Sequence, residues 1–291
     1  MIYVIFGPTG SGKTDVAIKL AEYFEAPIIN ADAFQIYKEM NIGTNKIKET
    51  DPYYKRHYLL DIKTPEESYS VKEYQEDFRN VLDELTKTNK NIIVSGGTGL
   101  YIRAALFDYT FLEEETKQTD YSSYTNEELY HKLQELDYEA SKSIHVNNRK
   151  RIIRALDLIA SSGIKKSEII ASQEHKIIYP DVKFLFLNPD RETLYDAINE
   201  RVDKMVDEGL VDEVKYLKEK YQLSTTARQA IGYKEILDYL EGMTTLEEAI
   251  SLIKKRTRNY AKRQVTFFKN HFKSQVFPSK TALLEEVMDN D

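Results

Sequence analysis

The chain has 291 residues, with 41 Lys and Arg against 48 Asp and Glu for a formal net charge of −7, and no cysteine, which excludes disulfides and thiolate–metal sites. With 41% hydrophobic and 31% charged residues it reads as a globular chain long enough for a core domain and a smaller one. No uncharged apolar run approaches the roughly 18 residues of a membrane span, and the first apolar run leads into a glycine loop instead of a signal sequence, so a cytoplasmic protein is expected.

The chain opens on a β-prone run, Ile2 to Phe6, followed by Gly7-Pro8-Thr9-Gly10-Ser11-Gly12-Lys13-Thr14. Two glycines five apart followed by Lys and Thr fit the phosphate-loop pattern, in which backbone N–H groups and a helix N-terminus converge on an anion. The helix that this requires is present as the apolar face Val16, Ala17, Leu20, Ala21 and Phe24. Lys13 adds a point charge and the Thr14 hydroxyl is a candidate Mg²⁺ ligand. Pro27 to Ala31 reads as a second, parallel strand, with Asp32 at its carboxyl end, the edge where ligands sit in open α/β sheets. Asp32 suits a general base or a holder of metal-bound water; the plainer reading is a cap on the turn from Phe34 to Lys38.

His57 to Asp61 is a weaker strand candidate. Ser70 and Glu73 have capping-box spacing and open a helix to Leu85. Asn91 to Ser95 is another core strand, ending in Gly96-Gly97-Thr98-Gly99, a tight turn whose one polar side chain is Thr98; a helix from Leu100 to Phe107 follows. Then the pattern changes. Glu113 to Asp120 reads as a linker, Thr125 and Glu128 cap a helix, and Asn148 to Ala160 forms another that Gly163 stops. Strand character returns only at Lys183 to Leu187. The expected architecture is a P-loop NTPase-like parallel α/β sheet flanked by helices (1–111 and 180–291) with a small helical insertion (112–179). Helices over 191–208, 211–221, 229–240 and 246–270 complete the chain.

Charge is uneven. Between Ser251 and Lys280 there are nine Lys and Arg and no Asp or Glu. On the last long helix Lys254, Arg258 and Lys262 form an i, i+4 row suited to phosphate backbone. A second cluster is Arg149-Lys150-Arg151 with Arg154. Two function classes remain open on the residues: a P-loop nucleotide or small-molecule kinase binding ATP, and group transfer to nucleic acid with diphosphate as the leaving group. The acid-free basic helix favours the second.

Seven motifs in order make the chain resemble the bacterial tRNA dimethylallyltransferase (tRNA isopentenyltransferase) family. They are the loop at 7–14, Asn-Ala-Asp-Ala-Phe-Gln-Ile-Tyr at 30–37, Asn-Ile-Gly-Thr-Asn-Lys at 41–46 and Gly-Gly-Thr-Gly-Leu-Tyr-Ile at 96–102. His-Val-Asn-Asn-Arg-Lys-Arg-Ile-Ile-Arg-Ala-Leu at 145–156, Gln-Ala-Ile-Gly-Tyr-Lys-Glu at 229–235 and Tyr-Ala-Lys-Arg-Gln-Val-Thr-Phe-Phe-Lys at 260–269 follow. Many relatives have Ser, Trp and Arg where this chain has Ala33, Phe267 and Lys269.

The resemblance implies a Mg²⁺-dependent transfer from dimethylallyl diphosphate to N6 of the adenosine 3′ of the anticodon, nucleotide 37, in the tRNA anticodon stem-loop. It implies diphosphate on the loop, with Lys13 and Thr9 at the reacting centre and Asp32 as the base. Asp32, Ala33, Phe34, Gln35 and Thr98 would meet a flipped nucleotide. Asn147, Asn148, Arg149, Lys150 and Arg151 would meet tRNA in the insertion, with Gln229 to Tyr233 close by. No membrane and no obligate protein partner are implied.

Overall fold

The computed structural model describes residues 1–111, 119–172 and 174–290; most of the linker expected at Glu113–Asp120 lies outside them. The chain packs as two units, Met1–Ala105 with Tyr179–Asp291, and Leu106–Ile178.

The first unit is built on one parallel sheet. Strands β1 (Ile2–Phe6), β2 (Ile28–Asn30), β3 (His57–Tyr58) and β4 (Ile92–Gly96) are followed by helices α1 (Lys13–Tyr23) after β1, α2 (Val71–Thr86) after β3 and α3 (Gly99–Leu106) after β4, with only a short 3₁₀ turn between β2 and β3. Strands β5 (Val182–Leu187) and β6 (Gln275–Phe277) come from the later part of the chain, and the spatial order is β3-β2-β4-β1-β5-β6. Every residue of β1 is buried, as expected of a strand covered on both faces. Tyr3 and Ile5 of β1 join Val16, Leu20 and Ile93 in the main core. The expected capping box at α2 is present: Ser70 Oγ accepts from Glu73 N, and the Glu73 carboxylate accepts from Ser70 N.

The second unit carries α4 (Asn126–Leu136), α5 (Tyr138–Lys142), α6 (Arg149–Ser162) and α7 (Lys166–Ser172), around a core of Leu129, Leu133, Ile152 and Leu156. Its ends are stitched together. Ile178 N donates to Leu106 O at 3.0 Å and Asp108 N to Lys176 O at 2.9 Å. That pairing starts the second unit at Leu106, ahead of the junction at 112 read from sequence.

Back in the first unit, α8 (Arg191–Asp207), α9 (Leu210–Lys220), α10 (Thr225–Arg228), α11 (Tyr233–Leu240) and α12 (Leu246–His271) follow β5, and α13 (Lys280–Asp289) follows β6. The helix expected over 229–240 begins only at Tyr233, with Gly232, at φ 98°, as its N-cap, and residues 229–232 form the turn that follows α10. The end of α12 is fixed by aromatic packing. Phe268 lies 4.8 Å from Phe6 and 5.5 Å from Phe186, ring centre to ring centre. That contact sets Gln264 and Tyr260, one and two turns earlier on the same helix face, over the end of β1.

Candidate active site

Three loops meet at the carboxyl edge of the sheet because the strand register brings them level. Phe6 pairs with Gly96 and Asn30 with Ser95, so the glycine loop after β1, Asp32 after β2 and Thr98 after β4 emerge side by side. The loop is left-handed at Gly10 (φ 84°) and Gly12 (φ 85°), a conformation that L side chains resist. Gly7, Pro8 and Ser11 are buried, while Thr9, Gly10, Gly12, Lys13 and Thr14 are partly open.

Hydrogen bonds lock the three loops together. Thr98 N donates to Ala31 O at 3.0 Å, and Ala33 N donates to Thr98 Oγ1 at 3.0 Å. Asp32 Oδ1 accepts from Phe34 N at 3.0 Å, so the carboxylate caps the turn as well as facing the cleft. Asn30 fixes the backbone of Asp32 from both sides, accepting from its N–H and donating to its carbonyl at 3.2 Å each. Gln264 bridges two loops: its Oε1 accepts from Thr9 N at 2.9 Å and its Nε2 donates to Gly97 O at 2.8 Å.

Arg201 on α8 spans the other side, donating from Nη1 to Thr9 Oγ1 at 2.9 Å and from Nη2 to Thr44 O at 3.4 Å. Two cations thus face one carboxylate. Burial lowers the Lys13 ammonium to about 8, Asp32 opposes that shift, and Arg201 adds to it. Burial also pushes the Arg201 guanidinium below its ordinary value, again against Asp32. The first unit therefore holds concentrated positive charge beside a carboxylate that only partly offsets it.

Two clefts open here and share Thr9, Asp32, Thr44 and Arg201. One is polar and also lined by Lys13, Thr14, Asn30, Gln35, His57 and Ser95. The other is mostly apolar, walled by Phe34, Val202, Met205, Ile231, Tyr233 and Tyr260 among others. An anion with a hydrocarbon tail fits such a pair, charge in the polar cleft and tail in the apolar one.

Other residues singled out from sequence fall into distinct places. Gln35 donates to Thr44 O at 3.1 Å, bracing the loop under Arg201. Gln229 is exposed on the turn between α10 and α11. In the second unit Asn147, Lys150 and Arg151 are exposed, but Asn148 caps α6 and Arg149 is committed to Tyr121 O, Tyr124 O and Asn126 Oδ1 at 2.6, 2.8 and 3.2 Å. On α12, Lys254 pairs with Asp203 at 2.6 Å and Arg258 donates to Asn199 Oδ1 at 2.6 Å, both on α8. The i, i+4 row is thus not a free cationic stripe: only Lys262 of the three is exposed. The exposed cations of the acid-free stretch are Lys255, Lys262, Arg263, Lys269, Lys273 and Lys280, the last paired with Asp15.

Arg201, Gln264 and Tyr260 did not stand out as site residues in the sequence, whereas Tyr233 closes the 229–233 stretch expected close to the tRNA, and it lines the apolar cleft. Arg201 had a signal: it sits at helical spacing among Leu194, Ile198 and Met205, a cation in the buried stripe of α8. Gln264 likewise lies in the apolar face of α12, where a buried amide demands partners.

The "IPP transferase" family model matches residues 35–271. The curated tRNA dimethylallyltransferases of Bacillus licheniformis and Bacillus anthracis are 44% and 45% identical over 276 residues, covering 92% of this chain and 88% of each relative. The crystal structure of tRNA delta(2)-isopentenylpyrophosphate transferase from Staphylococcus epidermidis superposes with a TM-score of 0.71 at 34% identity, over 99% of this chain and 98% of that one. A chain from crystallographic snapshots of a eukaryotic dimethylallyltransferase acting on tRNA gives 0.83 at 28% identity, over 99% of this chain and 76% of that one. With that coverage in sequence and in fold, the chain belongs to the IPP transferase family.

Proposed function

We propose that this chain transfers the dimethylallyl group of dimethylallyl diphosphate to tRNA, at N6 of the adenosine next to the anticodon, and releases diphosphate. The observation that carries the reading is the junction of a cationic polar cleft and an apolar cleft at Thr9, Asp32 and Arg201. The diphosphate sits against the glycine-loop N–H groups and Lys13, where charge building on the departing oxygens meets donors already in position. The allylic C–O bond breaks as the N6–C bond forms, and the amine proton passes to the Asp32 carboxylate. Thr9, whose hydroxyl is held by Arg201, orients the diphosphate at the reacting end. Mg²⁺ fits the oxygen donors of this cleft, where the Thr14 hydroxyl would hold it beside the diphosphate. When bound, it neutralises charge on the leaving group.

The test is a transfer assay with labelled dimethylallyl diphosphate, Mg²⁺ and unmodified tRNA carrying adenosine or guanosine at the target nucleotide. Label on the adenosine tRNA alone is expected. Asp32→Asn keeps an oxygen for the Phe34 turn, and it is expected to lower the rate by ~10²–10⁴-fold while tRNA still binds. No label on either tRNA, with ATP consumed in a parallel reaction, would replace this reading with a kinase.

A further inference from the structure

One wall of the apolar cleft has been made rigid. Tyr233, 1% exposed, opens α11 and lines only that cleft. Its hydroxyl donates to Glu213 Oε1 at 2.6 Å. The Glu213 carboxylate is itself fixed, accepting from Asn41 N at 3.0 Å, Ile42 N at 2.7 Å and Gly43 N at 3.1 Å. At this hydroxyl end the ring lies so close to Gly43 that a Cβ there would come within 2.4 Å of Tyr233 Cε2. Swinging the ring aside would take from Glu213 the one O–H among these four donors.

We propose that Tyr233 sets the length of prenyl chain the site accepts, its ring closing the apolar cleft behind a five-carbon group so that longer allylic diphosphates are excluded. The inference rests on the transfer reading above. Val202 and Met205 are flexible or small enough to yield to a longer tail; the braced ring is not. Glu213 is a positioning residue here, acting through Tyr233.

The experiment measures kcat/KM for dimethylallyl and for geranyl diphosphate with the same unmodified tRNA and Mg²⁺. Tyr233→Ala is expected to raise the geranyl-to-dimethylallyl ratio by about tenfold or more, the scale on which pocket size discriminates hydrocarbon. Tyr233→Phe, which keeps the ring against Gly43, is expected to stay close to the wild-type ratio. If the Ala variant does not accumulate as folded protein, Tyr233→Leu, shorter but still apolar, carries the same expectation. An unchanged ratio, or equal losses on both donors, overturns the proposal. A wild-type protein that transfers neither donor overturns the transfer reading instead.

Discussion

Lys13 shows how one residue can couple substrate charge to pH. With its ammonium lowered to about 8 by burial, the free protein sheds this proton just above neutral pH. An anion in the polar cleft favours the charged form, so binding above that value must take up a proton. Diphosphate affinity, measured by calorimetry across this range, is expected to weaken as pH rises through about 8, with proton uptake seen as a buffer-dependent heat. Lys13→Arg, with a guanidinium that stays charged, is expected to flatten the curve, and a slope that survives the replacement would place the titrating group elsewhere. Asp32 carries a different lesson. Its sequence position admitted either a turn cap or a functional carboxylate, and the structure gives the turn bond to Phe34 N together with a place in both clefts.

Among elements, those marked by local signals were legible in the sequence. The capping boxes Ser70/Glu73 and Thr125/Glu128 mark α2 and α4 as expected, and Gly163, left-handed at φ 71°, ends α6. β6 was missed because three residues, two of them exposed, carry no periodicity, and α13 went with it. Charge was the least readable property, since the partners lie far along the chain. Lys254, Arg256 and Lys280 find Asp203, Glu235 and Asp15 on α8, α11 and α1. An acid-free segment is therefore not an acid-free surface. The exposed trio Lys255, Lys262 and Arg263 remains the better candidate for phosphate contact. Replacing all three with Ala is expected to weaken tRNA binding and lower the slope of log affinity against log salt by roughly two. The pair Lys254→Ala and Arg258→Ala is expected to lower thermal stability, through the α8–α12 contact, more than the salt slope. Filter binding over a salt series separates the two, and an unchanged slope in the triple variant would remove this face of α12 from the RNA surface.

At the scale of the whole molecule, the fold keeps the glycine loop and the helical insertion in separate units, each with its own core. The points where the chain leaves and re-enters the first unit are both held by α2. Arg79 Nε donates to Ala105 O at 3.1 Å and Gln75 Nε2 to Ala104 O at 2.6 Å, while Asp83, one turn on from Arg79, lies beside the Tyr179 hydroxyl. Neither anchor uses a residue of the insertion, and among the described residues none that lines either cleft comes from it. Removing 106–178 and joining Ala105 to Tyr179 through a short Gly-Ser bridge should then leave the sheet, the glycine loop and Arg201 in place, since closing so short a gap adds little loop entropy. The shortened chain is expected to unfold cooperatively and to bind diphosphate with near wild-type affinity. If the exposed Asn147, Lys150 and Arg151 grip the nucleic acid, it should also lose tRNA affinity and with it transfer at low tRNA concentration. Calorimetry with diphosphate and a tRNA titration decide the matter together. Lost diphosphate binding would mean that the first unit depends on the second for its fold, whereas unaltered tRNA affinity would assign recognition to the first unit alone.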